Sequence, residues 1–112
     1  MNAMPHLNEI CQKVVDCYKK IYGDKIRGIY LYGSYARGDF DEDSNINFAA
    51  IVEGDRQNLQ EKRNKVLDET VRMDLDYDVI TFPQVISAAD FEKYGEEIPD
   101  YRKIMKEGKR IA

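Results

Sequence analysis

Apolar residues near the start of the chain recur at helical spacing. Leu7, Ile10, Cys11, Val14, Cys17 or Tyr18, Ile21 and Tyr22 share one face, which predicts an amphipathic helix from about Pro5 to Tyr22, ended by Gly23. The next run, about Ile26 to Tyr32, is β-branched and aromatic and reads as a strand. It leads into Gly33-Ser34, after which Ser34 to Gly38 reads as a turn or single helical turn and Asp39 to Ser44 as an acidic loop. A second strand is expected from about Asn45 to Val52. A polar helix then runs from Gly54-Asp55 to about Glu69, held to the core by Leu59, Val66 and Leu67. From Val71 to Phe82 the residues alternate. Met73, Leu75, Tyr77 and Val79 face one way and Asp74, Asp76 and Asp78 the other, which is the period of a third strand. Pro83 ends that strand or marks a sheet edge. A short helix from Ser87 to about Tyr94 and a last one from Pro99 to Gly108 complete the chain. This order predicts an α/β (α+β) domain: a small mixed β-sheet with helices packed mainly on one face.

At 112 residues the chain is long enough for one modest core, so residues 1–112 read as a single domain. No apolar run approaches the length of a membrane span and no secretory signal pattern is present, so a cytoplasmic location is the default expectation. Met1-Asn2-Ala3 precede a second methionine, Met4, which reads as the natural start. The net charge is -4, and no basic stripe interleaved with aromatics runs through the sequence, so non-specific nucleic-acid binding is not expected. Lys103, Lys106, Lys109 and Arg110 form a small basic patch interrupted by Glu107, which reads as a solvated helix end. Cys11 and Cys17, six apart, sit about 240° apart around a helix and form no metal pair or redox motif. With His6 the only histidine, histidine-based catalysis and a histidine-rich zinc site are excluded. Tyr35, Tyr94 and Tyr101 have no evident core role and are candidates for an interface.

The chemistry concentrates in Gly33-Ser34-Tyr35-Ala36-Arg37-Gly38-Asp39 and Asp43-Ser44-Asn45-Ile46-Asn47. A strand that ends in Gly-Ser and turns at once into a helical segment exposes backbone N–H groups. With the Ser34 hydroxyl, these suit an anionic oxygen. Gly33 lets the backbone approach a ligand closely. Arg37 can reach a phosphate or clamp an acidic neighbour such as Asp39. Asn45 and Asn47, two apart on a strand, point to one face beside that turn, while Ile46 and Phe48 point to the core.

This stretch resembles the signature of the DNA polymerase beta-like nucleotidyltransferases, most closely the minimal nucleotidyltransferases (MNT). There Gly-Ser-x-Ala-Arg-Gly is followed several residues later by Ser-Asp-x-Asp. Gly33, Ser34, Ala36, Arg37, Gly38 and Ser44 match by identity and spacing. Asp78-Val79-Ile80-Thr81 looks like the third-carboxylate strand of that family, and Ile104-Met105-Lys106-Glu107-Gly108 like its usual C-terminal helix ending. The resemblance implies the nucleotidyltransferase fold, nucleotide binding by Gly33, Ser34 and Arg37, and catalytic positions at Asn45, Asn47 and Asp78. It also implies divalent metal ions, Mg2+, which three carboxylates hold and which bridge the phosphates of an NTP.

The chain departs from that pattern where the metal is held. Both paired positions are amides, which carry no charge and cannot serve as a general base. The carboxylates left for a residual, weakened Mg2+ site are Asp78 and Asp76, with Asp43 and Asp41 out of register in the loop. Two functions follow. One is a pseudoenzyme that binds a nucleotide or a partner, such as the antitoxin half of a pair whose other half is a helical HEPN-family protein, a partner the resemblance implies. The other is an active enzyme that transfers NMP from an NTP to a hydroxyl of a protein, nucleic acid or small molecule. The paired asparagines also match what an experimenter would introduce to trap a substrate complex. Phe48-Ala49-Ala50, standing where the family usually carries aliphatic runs, favours natural loss instead.

Overall fold

The computed structural model describes residues 6–112, so the proposed start at Met4 and the helix start at Pro5 lie outside the described residues. Helix α1 (Leu7–Tyr22) presents Ile10, Val14 and Tyr18 to the core, each fully buried, and ends at Gly23 with φ 62°. A 3-10 turn, Gly23–Lys25, delivers the chain to strand β1 (Ile26–Tyr32), which passes into the short helix α2 (Ser34–Arg37). Gly38, at φ 88° and ψ 7°, closes that helix in the left-handed region. Strand β2 (Ile46–Val52) follows the acidic loop.

The expected third strand is the main point of correction. Helix α3 runs from Arg56 to Tyr77, through the segment whose alternation suggested a strand. Its buried residues are Leu59, Val66, Thr70 and Met73, with Tyr77 packed half-buried against the same core, a 3–4 residue spacing that follows one helical face. Val71 and Leu75, which the strand reading would have placed on the same face as Met73 and Tyr77, are 56% and 79% exposed. Asp78 caps the helix in the left-handed region at φ 53°, and the N–H groups of Asp78 and Val79 both donate to Asp74 O. Strand β3 is Thr81–Ser87, with Pro83 inside it. Helix α4 (Ala88–Tyr94), helix α5 (Pro99–Glu107) and the two-residue strand β4 (Lys109–Arg110) complete the chain; β4 was not anticipated.

The sheet is four-stranded and mixed, in the order β3-β2-β1-β4. β1 is antiparallel to both β2 and β4, and β3 is parallel to β2. That parallel pairing requires a crossover, which α3 supplies. Pro83 is tolerated because β3 is an edge strand. The two long helices, α1 and α3, cover one face, over Ile29, Leu31, Ile46, Phe48, Ala50, Val52 and Val85. The shorter α4 and α5 cover part of the other, where Ile104 packs on Tyr32, Ala49, Ile51 and Ile86. The central strand β2 is thus buried on both sides, which accounts for the unbroken apolar run Phe48 to Val52. Ala49 and Ala50 are both fully buried, so their small size is a packing feature of this sheet. Among the described residues no helix is long and apolar enough to cross a membrane.

Candidate functional site

On the α4/α5 face, the end of β1 and the start of β2 open onto a cavity of about 410 Å3. Tyr32, Gly33, Ser34, Arg37, Asn45, Asn47, Phe82, Asp100 and Lys103 line it. Strand register assembles this set. Tyr32 pairs with Asn47 across β1 and β2, and Asn47 pairs with Phe82 across β2 and β3, so the three side chains share one face. Ile46 and Phe48, on the opposite face, are fully buried, as the alternation required.

Gly33 joins β1 to α2 at φ 81° and ψ −153°. A Cβ at this position would lie 2.7 Å from Asn47 Nδ2, so the absence of a side chain is what lets the Asn47 amide sit against the turn. The N–H groups of Ala36 and Arg37 both donate to Gly33 O, while the first N–H groups of the turn, at Ser34 and Tyr35, have no intrahelical acceptor. Arg37 is engaged on both sides. Its Nε donates to Asp39 Oδ2 at 3.2 Å and its Nη1 to Glu107 Oε1, on α5, at 2.8 Å.

Helix α5 brings in two residues that the sequence reading left unassigned to a site. Asp100 and Lys103 project from its first turns into the cavity. Lys103 belongs to the basic patch read from sequence as a solvated helix end. It is exposed, as that reading has it, and it also lines the cavity, because α5 packs back over the sheet with its first turns beside the cavity. Asp100 is oriented by Gln84, whose Nε2 donates to Asp100 Oδ2 at 3.1 Å and to the Tyr32 hydroxyl at 3.0 Å. Burial first, and then the Asp100 carboxylate, push the Tyr32 hydroxyl up to about 12, so it stays protonated across the neutral range.

Gly33, Ser34, Arg37, Asn45 and Asn47 are thus brought together as the sequence predicted, whereas Asp76 and Asp78 are not among the cavity residues. Asp78 is the cap of α3. Asp76 lines a different groove, of about 400 Å3, with Lys13, Cys17, Glu69 and Met73 between α1 and α3. The reason is the helix that replaces the expected strand: successive aspartates fan around α3 and do not stack on one sheet face. Asp74 accepts from Thr81 N at 3.1 Å and from Thr81 Oγ1 at 2.7 Å, and so ties α3 to the start of β3. Asp41 is also committed locally, accepting from Asp43 N at 2.9 Å and Ser44 Oγ at 3.2 Å within its loop.

The donor set suits an anion better than a pair of divalent cations. Asn45 and Asn47 offer neutral oxygens, and the one carboxylate of the cavity already receives Gln84. Among the described residues no group of three or more His, Cys, Asp and Glu could hold a metal ion. The three tyrosines considered for an interface are half-buried. Tyr35 stacks on Phe40 at 4.2 Å between centroids, Tyr101 leans on Phe91 at 5.9 Å, and Lys93 Nζ lies 5.3 Å from the Tyr94 ring centroid.

Residues 12–111 match the model of a family described as "Polymerase beta, Nucleotidyltransferase". A relative from Methanocaldococcus jannaschii, named as a "putative protein adenylyltransferase", is 30% identical over 93 residues, which span 83% of this chain and 92% of that protein. A solved structure described as a toxin-antitoxin with AMP-PNP matches with a TM-score of 0.55 and 16% identity, over 91% of this chain and 72% of its own; that likeness is one of fold.

Proposed function

This chain belongs to the polymerase beta nucleotidyltransferase family, and from that premise we propose that it binds a nucleotide or a protein partner and has lost most or all of the transfer reaction. One observation carries this reading. The turn of Gly33, Ser34 and Arg37 opens on the same cavity as Asn45 and Asn47, while Asp76 and Asp78 stand elsewhere. Metal-dependent transfer needs charged ligands to hold Mg2+ and a base for the acceptor hydroxyl. Two amides supply neither, and one carboxylate bound to Gln84 is a poor substitute for three.

The biological role that fits is the antitoxin half of a two-component pair in the cytoplasm, with a helical HEPN-family protein as partner. The fold neighbour described as a toxin-antitoxin with AMP-PNP supports a role of this kind for the scaffold. The competing reading, AMP transfer to a protein hydroxyl, draws on the name of the M. jannaschii relative.

Calorimetric titration of ATP, with Mg2+ and with EDTA, separates the two. Binding is expected to be weak and nearly independent of Mg2+. Asn45→Asp/Asn47→Asp is expected to make it Mg2+-dependent. Tight Mg2+-dependent binding by the unchanged protein, with release of pyrophosphate, would establish the transferase instead.

A further inference from the structure

We propose that Lys103 is the counter-charge for a nucleoside triphosphate's polyphosphate in this cavity, where the uncharged amides of Asn45 and Asn47 stand beside it. The inference rests on the nucleotide-binding reading above and deepens it. A triphosphate bound without Mg2+ carries its full negative charge into the site, and something fixed and positive must offset it. Two cations line the cavity, Arg37 and Lys103. Arg37 is already engaged by Asp39 and Glu107. Lys103 makes no ion pair among the described residues, so its charge is free for a ligand.

The rest of the lining agrees. The Ser34 hydroxyl and the amide groups of Asn45 and Asn47 are hydrogen-bond donors available to phosphate oxygens. Carboxylates at 45 and 47 would repel an anion that had no metal between. Amides accept it, so the asparagine pair and Lys103 form one consistent change from a metal-holding to an anion-holding cavity. Asp100, the acidic group of the lining, accepts from Gln84 Nε2, which also donates to the Tyr32 hydroxyl. Lys103 sits three residues further along the same helix, whose packing through Ile104 fixes where it projects.

The test is binding of ATP and of inorganic tripolyphosphate in EDTA to the full chain and to Lys103→Ala, Lys103→Arg and Lys106→Ala. Lys106 carries the same charge on the same helix but does not line the cavity. Lys103→Ala is expected to weaken both ligands by about tenfold, the scale of one charge-assisted contact. Lys103→Arg is expected to restore most of the loss, and Lys106→Ala to change little. Equal binding by the unchanged protein and Lys103→Ala, or equal losses at 103 and 106, would overturn the assignment while leaving nucleotide binding in place. Failure of ATP to bind the unchanged protein, with or without Mg2+, would instead remove the nucleotide-binding reading on which it rests.

Discussion

At Gly33 the backbone adopts φ 81° and ψ −153°, a region that only glycine enters without strain. Alanine there would meet both the backbone penalty and the Asn47 amide at 2.7 Å. Gly33→Ala is therefore expected to cost about 1–3 kcal/mol of stability and to displace Asn47 from the turn. Urea unfolding measures the first effect, and weakened ATP binding at a temperature where the variant is folded measures the second. An unchanged unfolding midpoint would mean that the turn relaxes freely. Much of this residue-level detail was legible in the sequence, because the Gly-Ser-x-Ala-Arg-Gly order specifies a strand-to-helix turn and the Asn-x-Asn spacing specifies a shared face. The role of Asp100 was not. A single acidic residue on a polar helix has no local signature, and only the fold shows that Gln84 donates both to it and to the Tyr32 hydroxyl.

Helix α3 shows why an element can be misread from a sound pattern. Met73 to Val79 alternates with three aspartates, which satisfies period two, yet Leu59, Val66, Thr70, Met73 and Tyr77 satisfy the helical period over a longer span. The longer pattern prevails because it buries a continuous seam against α1 and the sheet, while a short strand would have abandoned the last two turns of that seam. The contact between α1 and α3 also carries a polar element. Cys17 Sγ donates to Glu69 Oε2 at 3.0 Å, and Lys20 pairs with the same carboxylate. Burial, and then the hydrogen bond to Glu69, raise the Cys17 thiol from 9.0 to about 12. In the unfolded chain the thiol ionises near its ordinary value, while in the folded chain it stays protonated, so the unfolded state binds fewer protons between the two. Its contribution to stability is thus complete below pH 9 and is lost as pH rises from 9 toward 12. Urea unfolding at pH 8 and pH 9.5 is expected to show the native chain losing stability, with a smaller loss in Cys17→Ala. The remaining slope belongs to the other groups raised in the fold, Cys11, Lys20 and the tyrosines Tyr18, Tyr22, Tyr32, Tyr35, Tyr77 and Tyr101. Identical slopes in both proteins would show that the thiol does not titrate between the two states in this range.

On the scale of the whole molecule, the cavity exists because four separate parts of the chain meet at one end of the sheet: the β1–α2 turn, the start of β2, Phe82 of β3 and the first turns of α5. Three of these follow from the sheet register, and the fourth depends on how the chain leaves α5. Immediately after Gly108, β4 pairs with β1, Arg110 opposite Tyr30 and Lys109 opposite Leu31. The attachment continues through Ile111 N donating to Ile29 O at 2.8 Å and Ile29 N donating to Ala112 O at 3.0 Å. These last residues therefore anchor α5 at one end, while Ile104 anchors it across the sheet. No sequence pattern announced this anchor, since two charged residues after a glycine carry no strand signal; it is their placement beside a free sheet edge that pairs them. Removal of residues 109–112 is expected to cost about 2–3 kcal/mol, from a few net backbone bonds and the half-buried Ile111. It is also expected to weaken tripolyphosphate binding, because Lys103 would ride on a helix fixed at one end only. Denaturant unfolding of the shortened chain, followed by titration below its transition, reads both effects. Reduced stability with unchanged tripolyphosphate affinity would mean that Ile104 alone sets the position of α5 over the cavity, and that the edge strand serves the sheet without serving the site.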